Sequence, residues 1–238
     1  MPLTLVATPI GNLGDLSPRA EAALREADLW FVEDTRVSGK LQAHFGIRVP
    51  MKVLNEHTSD AKLAEYAVEV ESGLRTAVLT DAGCPGISDP GARLVDLCRE
   101  AGVDVDAIPG PSAVTTALML SGFYAQRIAF LGYLPRNLGD QRAILAPFSD
   151  SAMTLVLFES PFRTDKLLEN LHLVLGSRRY AFCREMTKLH QQVYRSRLPN
   201  KPTVKEVPAK GEFTVVVEGV RRRDSSEEDS GTLRELRK

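Results

Sequence analysis

The sequence predicts an α/β fold, with a largely parallel sheet in the first half of the chain and a mixed sheet in the second. Short apolar runs rich in β-branched residues recur between residues 3 and 108, and segments of helical periodicity separate them. Glycine and proline mark most of the junctions. This alternation is typical of a parallel sheet that helices cover on both faces.

The first half is predicted to contain five strands, whereas strands and helices alternate less regularly in the second half. The strands of the first half are residues 3–7, 29–32, 51–54, 76–79 and 103–108. A predicted helix follows each of these strands. The first begins at Pro18, behind the cap Ser17, and the others cover residues 38–45, 60–72, 90–101 and 113–120. Asp89 is the predicted N-cap of the fourth helix.

The second half is predicted to hold strands at residues 128–131, 154–158, 180–183, 191–197 and 211–218. Helices are expected over residues 140–147 and 161–175, the latter capped by Ser160. We therefore expect an N-terminal domain at 1–113, a C-terminal domain at 114–220 and a tail at 221–238. The tail is charged and has little to bury, which predicts disorder.

Composition restricts the classes of protein. The chain has 238 residues, 43% of them hydrophobic and 26% charged, and a formal net charge of −1, values that are ordinary for a globular protein. No apolar run approaches the length of a membrane helix, so we expect no membrane partner. The three cysteines and four histidines lack metal-ligand spacing, so we expect no metal site. The odd cysteine count, without an export signal, favours a cytoplasmic protein.

The stretch Leu79–Gly91 is the most informative part of the chain. It holds three glycines, two prolines and two aspartates directly after a predicted strand. In an open α/β sheet, ligands bind beyond the carboxyl ends of the strands. Asp81 is placed to bond a ribose hydroxyl or an ammonium group, or alternatively to cap amides of its own loop.

The sequence motifs of several common chemistries are absent. There is no phosphate-binding P-loop, no G-x-G-x-x-G after the first strand and no G-x-S-x-G elbow. Five loops at predicted strand ends, 8–15, 33–40, 81–91, 109–113 and 159–163, are mostly small and apolar. Such loops suit a zwitterionic ligand with an aromatic ring, and S-adenosylmethionine fits that description.

Two mixed-charge stretches follow apolar strands, Glu33–Arg36 and Arg184–Lys188. If they converge, they provide cations for phosphates and a carboxylate or lysine for removing a proton. An internal Glu–Arg network at an interface is the alternative.

Ten motifs in register resemble those of the bacterial small-subunit ribosomal RNA cytidine 2′-O-methyltransferases, a family within the tetrapyrrole methylase superfamily. The motifs lie at residues 7–15, 33–36, 39–41, 44–47, 81–91, 109–113, 132–136, 159–161, 184–188 and 211–213. In four places the sequence departs from the family pattern: Cys84 stands in place of threonine, Val37-Ser38 in place of His-Thr, residues 54–58 differ, and 198–210 is short.

The resemblance implies two α/β domains with S-adenosylmethionine in the cleft between them, and a homodimer. It implies methylation of a cytidine ribose in the decoding region of small-subunit ribosomal RNA, either as free RNA or in the 30S subunit. The implied cofactor contacts are Pro9, Asp81, Gly83, Cys84, Ile87, Ser112, Ala113, Phe158, Glu185 and Phe213.

The catalytic hypothesis assigns proton acceptance to Glu33 or Glu185. Arg36, Arg184 and Lys188 would hold phosphates. Two other functions remain open from the sequence: a tetrapyrrole methylase on the same fold, and a non-catalytic RNA-binding or assembly protein that retains the cofactor pocket.

Overall fold

A computed structural model describes residues 2–221 of the chain. Apart from Arg221, the predicted disordered tail lies outside these residues. The chain forms two compact units. Among these residues, the first unit contains 2–116 and Glu185–Gln191, whereas the second contains Ala117–Arg184 and 192–221.

The first unit contains a five-stranded sheet, and all its strands are parallel. Its order is β3-β2-β4-β1-β5, so β1 lies between β4 and β5, with Leu3 opposite both Thr76 and Val105. The predicted parallel sheet is confirmed, and all five carboxyl ends meet at one edge. The strands are β1 Leu3–Val6, β2 Leu29–Val32, β3 Met51–Val53, β4 Thr76–Leu79 and β5 Val105–Ile108.

Apolar side chains alternate along β2 and supply a core on each face of this sheet. Trp30 packs in one cluster, and its Nε1 donates to the Leu24 carbonyl at 3.0 Å. Phe31 packs in the other, 4.6 Å between ring centroids from Tyr66. The helices are α1 Pro18–Glu26, α2 Thr35–Phe45, α3 Asp60–Glu71 and α4 Ala92–Glu100, and α5 Ala113–Ser121 continues the chain into the second unit.

The second unit contains a mixed sheet of order β6-β7-β10-β8-β9, as the sequence predicts. Only β6 and β7 pair in parallel. One face packs against α6 and α7 over a buried cluster that includes Leu157, Tyr180 and Val215. The elements are β6 Ile128–Tyr133, α6 Leu138–Leu145, β7 Thr154–Glu159, α7 Thr164–Leu175, β8 Arg179–Arg184, β9 Gln192–Arg197 and β10 Phe213–Val217.

Four predicted helix starts are wrong. Helix α6 begins at Leu138 rather than at residue 140, because the Asn137 side chain accepts from the Gly139 amide at 2.8 Å and caps it. Helix α2 begins at Thr35 rather than at residue 38, because the Asp34 side chain accepts from the Arg36 amide at 2.8 Å and caps it. Helix α4 begins at Ala92 behind Gly91, not behind Asp89. The reason is a turn in which the Gly86 amide donates to the Pro90 carbonyl at 3.1 Å, which keeps Pro90 in the loop.

Helix α7 begins at Thr164 rather than at Pro161, because a turn comes first. The Arg163 amide donates to the Ser160 carbonyl at 3.0 Å, and helical hydrogen bonding starts only beyond it. In residues 2–221, no helix combines the length and apolar character needed to cross a bilayer.

Candidate functional site

The loops that follow β1, β4 and β5 are joined at the carboxyl edge of the first sheet. The Thr8 amide donates to the Gly83 carbonyl at 2.9 Å, and the Gly83 amide returns a bond to the Thr8 carbonyl at 3.1 Å. The Thr8 hydroxyl donates to the Thr80 carbonyl at 3.1 Å. The Cys84 thiol reaches the Pro111 carbonyl at 3.5 Å. These bonds hold three loops as one rigid group.

Small residues are required where these loops meet. Gly83 has a φ of +89°, which favours glycine, and a Cβ there would lie 3.5 Å from Ile10 Cγ2. A Cβ on Gly110 would lie 3.0 Å from the Ala7 Cβ. The edge therefore presents main-chain groups without covering them with side chains, which permits a ligand to approach the backbone closely.

Carboxylates gather at the same edge. The Asp81 amide donates to Glu33 Oε2 at 3.3 Å. Burial, then the charges of Glu33 and Asp34, raises the pKa of Asp81. Burial, then Glu33 and Asp81, raises the pKa of Asp89 to about 6. In contrast, hydrogen bonds from Arg36 lower the pKa of Asp34 to about 2, and the two form a 2.5 Å ion pair.

A cavity of about 260 Å³ lies beside Asp89 in the first unit. The loop after β3 and the start of α4 form its walls. Its polar lining includes Asn55, Glu56, Thr58 and Asp89, with Leu63 and Leu94 as apolar floor. A space of this size and lining suits a polar group such as a ribose or a pyrimidine base.

The segment Glu185–Gln191 belongs to the first unit although β8 and β9 flank it in sequence. Lys188 Nζ lies 3.1 Å from Glu185 Oε1. A Cβ on Gly11 would lie 2.5 Å from Lys188 Cγ and 2.8 Å from Thr187 Oγ1. Glycine at position 11 is therefore what allows this segment to lie against the loop after β1.

Backbone strain coincides with the predicted loops. Among the described residues, the non-glycine residues with positive φ are Ser88 at 60°, Glu185 at 49° and Thr187 at 64°. Strained φ values cluster at ligand sites, where the surrounding structure maintains them. All three lie in motifs that the sequence singled out.

Within the described residues 2–221, two buried hydroxyls of this region have no hydrogen-bond partner, Thr80 Oγ1 and Thr187 Oγ1. Thr80 is only 2% exposed and directly follows β4. Because buried polar groups in folded proteins are nearly always bonded, each hydroxyl could bond a polar ligand. Neither threonine was among the residues predicted from the sequence.

Of the predicted site residues, most lie in the first unit and three in the second. The first unit contains Pro9, Glu33, Arg36, Asp81, Gly83, Cys84, Ile87, Ser112, Ala113, Glu185 and Lys188, and the second contains Phe158, Arg184 and Phe213. Sequence reasoning missed Thr8, Gly11, Thr80, Asp89 and Thr187 as site residues. Their only signal was their position within or beside the quoted motifs.

The aromatic residues predicted in the second unit have different surroundings. Phe158 packs against Phe130 and Tyr133, with ring centroids 5.0 and 5.5 Å away. Phe213 is 4% exposed and packs edge-on against Phe182 in the main cluster of this unit. Thr214, not Phe213, pairs with Phe158. The two predicted aromatic side chains therefore point to opposite faces of the sheet.

Arg184, a predicted phosphate ligand, is 8% exposed, and its Nε donates to the Lys210 carbonyl at 2.6 Å. It is thus bonded within the second unit. Over residues 2–221, no group of three histidine, cysteine or acidic residues could hold a metal ion.

A family model described as tetrapyrrole (corrin/porphyrin) methylases matches residues 2–202, which is most of the chain. The chain belongs to this methylase family. The site loops at the carboxyl edge of the first sheet all lie within the matched residues. The mixed sheet is included except for its strand β10.

Relatives within this methylase family are similar along nearly the whole chain. A Thermotoga maritima protein named ribosomal RNA small subunit methyltransferase I is 40% identical over 219 residues, covering 91% of this chain and 98% of the relative. A Synechocystis protein of the same name is 38% identical over 235 residues, covering 98% of this chain and 84% of the relative. The crystal structure of the methyltransferase CobJ matches with a TM-score of 0.67 and 17% identity, covering 92% and 95% of the two chains, which shows the shared fold.

Proposed function

We propose that this methylase transfers a methyl group from S-adenosylmethionine to the 2′-hydroxyl of a cytidine ribose in small-subunit ribosomal RNA. The observation that carries the proposal is the 40% identity to the Thermotoga maritima relative across 91% of the chain. The family model, which matches residues 2–202, includes the loops that form the edge of the first sheet. The CobJ match, at 17% identity, supports the fold and not a choice of substrate.

The residues at the edge of the first sheet fit S-adenosylmethionine, which supplies an electrophilic methyl group when bound. Thr80 provides a buried hydroxyl without a partner, and Gly83 leaves main-chain groups uncovered. Asp81 provides a carboxylate for the ribose or ammonium groups of the cofactor. The other proposed contacts in the first unit are Pro9, Cys84, Ile87, Ser112, Ala113 and Glu185, and those in the second unit are Phe158 and Phe213.

A carboxylate at this edge accepts the proton of the ribose hydroxyl in the proposed mechanism. A general base works best when its pKa lies near the working pH. Glu33 and Glu185 are the candidates from the sequence, and the structure adds Asp89, because its pKa is raised to about 6 and it borders the 260 Å³ cavity. In its ionised form Asp89 is a stronger base than an exposed aspartate.

Cations near these carboxylates hold the RNA backbone. Asp34 bonds Arg36 in a fixed orientation, and the guanidinium remains 88% exposed. An exposed, oriented guanidinium suits bidentate contact with a phosphate. Lys188, held beside Glu185, supplies a second cation in this hypothesis. Arg184, which the sequence also suggested as a phosphate ligand, is buried and donates to the Lys210 carbonyl in the second unit, so we assign it no phosphate. Positioning of the hydroxyl by such contacts contributes much of the rate in a displacement reaction.

We further infer that the enzyme is a homodimer, as the resemblance implies, and that it is cytoplasmic, as the cysteine count favours. Light scattering on the purified chain tests the oligomeric state and should give the mass of two chains at micromolar concentration. A mass of one chain at that concentration would contradict the inference.

Transfer of a labelled methyl group tests the proposed function. Purified protein and labelled S-adenosylmethionine are incubated with 30S subunits lacking ribose methylation, with free small-subunit RNA, or with a porphyrinogen macrocycle. We expect label in RNA, recovered as 2′-O-methylcytidine after digestion to nucleosides. Label in the macrocycle would establish the tetrapyrrole alternative. Cofactor binding without transfer to any of the three would favour a non-catalytic assembly protein.

A further inference from the structure

The second unit carries a cluster of arginines that the proposed catalytic site does not use. We name it the arginine surface: Arg179, Arg195, Arg197 and Arg221. Arg179 of β8 pairs directly with Arg197 of β9, and Ala181 pairs with Arg195. Since residues two apart on a strand share a face, Arg179, Arg195 and Arg197 project from one face of the sheet.

One buried carboxylate organises part of this surface. Glu218 is 3% exposed and bonds Arg179 through both oxygens, at 2.5 and 2.7 Å. It also lies 2.6 Å from Arg221. Burial would raise the pKa of Glu218, but its bonds to the two arginines lower it overall. Glu218 therefore stays ionised and orients two guanidinium groups while neutralising only one charge.

Aromatic rings orient the arginines as well. The guanidinium carbons of Arg179 and Arg195 lie 5.2 and 5.0 Å from the centroid of the Phe123 ring, which is itself 6% exposed. Arg221 lies 5.1 Å from the centroid of Tyr124, which is 46% exposed. Stacking on a ring restricts a guanidinium but leaves its N–H groups available at the edge.

Two members of the surface have no acidic partner. Within residues 2–221, neither Arg195 nor Arg197 forms a salt bridge; Arg197 donates only to the Ser177 carbonyl, at 3.2 Å. Both side chains are exposed. Like charges on paired strands are unfavourable, so such an arrangement needs a reason beyond stability of the sheet.

We propose that the arginine surface binds the phosphate backbone of RNA. The identity of the polyanion rests on the proposed function. Guanidinium groups that are already oriented match phosphates in bidentate contacts and lose little conformational freedom on binding. Tyr124 offers an exposed ring on which a base can stack.

The length of the surface fits an extended strand of RNA. The surface reaches from Arg197 on β9, across Arg179 on β8, to Arg221, which follows β10. Two strand spacings separate β9 from β10, about 10 Å at 4.7–4.9 Å per spacing. More than one phosphate of the same strand can therefore be contacted. Contacts of this kind carry no sequence information, so the surface should raise affinity without selecting the base.

The test compares two double charge reversals in the same unit. Arg195→Glu with Arg197→Glu alters the surface, whereas Lys166→Glu with Lys205→Glu changes two exposed lysines outside it, Lys166 on α7 against the opposite face of the sheet. Affinity for a labelled 12-nucleotide single-stranded RNA is measured by fluorescence anisotropy between 50 and 200 mM salt. We expect the arginine variant to bind ~10-fold more weakly or worse and to lose roughly two units of salt slope. The lysine variant should bind like the wild type.

Controls separate the surface from folding and from the proposed function. Arg197→Glu alone keeps the Arg195–Phe123 contact and should give a partial loss of RNA affinity. Affinity for S-adenosylmethionine and the melting temperature should not change. If the arginine variant binds RNA with wild-type affinity, or if both double variants lose equal RNA affinity, the proposal that the arginine surface binds RNA is contradicted. Because the RNA probe is not a substrate, this result is independent of whether methyl transfer occurs.

Discussion

At the scale of residues, the site contains aspartates whose pKa values are shifted in opposite directions. The pKa of Asp34 falls to about 2 because Arg36 bonds it, whereas the pKa of Asp89 rises to about 6 because burial and the charges of Glu33 and Asp81 disfavour its ionised form. Maintaining Asp89 ionised near neutral pH costs folding stability. A cost of this type is typical of a residue retained for function rather than for stability.

The first prediction concerns Asp89→Asn. A raised pKa in the folded state means that the folded protein binds the proton more tightly than the unfolded chain does. The wild type should therefore lose stability as pH rises from about 4 through 6, and the asparagine variant should lose about 1–3 kcal/mol less over that range. Urea unfolding at pH 4, 6 and 8 measures this.

Asp96→Asn, at an exposed position on α4, is the matched control for Asp89→Asn and should not alter the pH dependence. The Asp89 variant should also lose methyl transfer. A stability difference from wild type that is the same at pH 4 and at pH 8 would contradict the burial of an ionised Asp89.

The second prediction concerns Gly11. In Gly11→Val, the new side chain meets Lys188 Cγ and Thr187 Oγ1, so the Glu185–Gln191 segment must shift. We expect a loss of about 1–3 kcal/mol in unfolding free energy and a fall in methyl transfer. Gly39→Ala is the control: position 39 is inside α2, has open space around it and should gain slightly in stability. Equal behaviour of the two variants in thermal unfolding would rule out the close packing at Gly11.

At the scale of elements, the sequence predicts the strands and the position of the loops better than the helix starts. The strands follow from apolar periodicity, which burial on both faces of the first sheet explains. The predicted start of α4 failed because Asp89-Pro90 has the pattern of a helix N-terminus, yet the bond between Gly86 and Pro90 retains it in the loop. Such a bond depends on the loop's fold and not on local propensity.

Other features of the site depend on tertiary contacts. The charge pattern at Arg184–Lys188 pointed to function, but nothing local indicates that Glu185–Gln191 belongs to the first unit. The contact at Gly11 and the unpartnered hydroxyl of Thr80 become visible only once distant segments are brought together. The arginine surface likewise depends on the pairing of β8 with β9.

The third prediction concerns the loop after β4. Cys84 is partly exposed, whereas Cys98 and Cys183 are buried and burial raises the pKa of Cys183 to about 12. Burial, then Asp89, also raises the pKa of Cys84, so we expect slow alkylation, with Cys84 reacting first. Saturating S-adenosylmethionine should protect it. Mass spectrometry of alkylated peptides measures both effects, and unchanged labelling of Cys84 with the cofactor present would argue against its place in the site.

At the scale of the whole molecule, the fold alone does not determine the substrate. The chain shares its fold with CobJ at 17% identity, so the two-sheet architecture does not determine what is methylated. Two relatives that are 38% and 40% identical, over 98% and 91% of this chain, are named ribosomal RNA small subunit methyltransferase I. Substrate choice must therefore depend on side chains, and the exposed Arg36 and the arginine surface are the proposed contributors.

Titration of S-adenosylmethionine into wild-type protein and the Asp81→Asn variant by calorimetry tests the central claim most directly, namely that the carboxyl edge of the first sheet binds the methyl donor. Loss of a charged hydrogen-bond acceptor costs about 1.5–3 kcal/mol, so we expect roughly 10- to 100-fold weaker binding in the variant, without a fall in its melting temperature. Equal affinity of the two proteins, or no binding by the wild type, would contradict the claim.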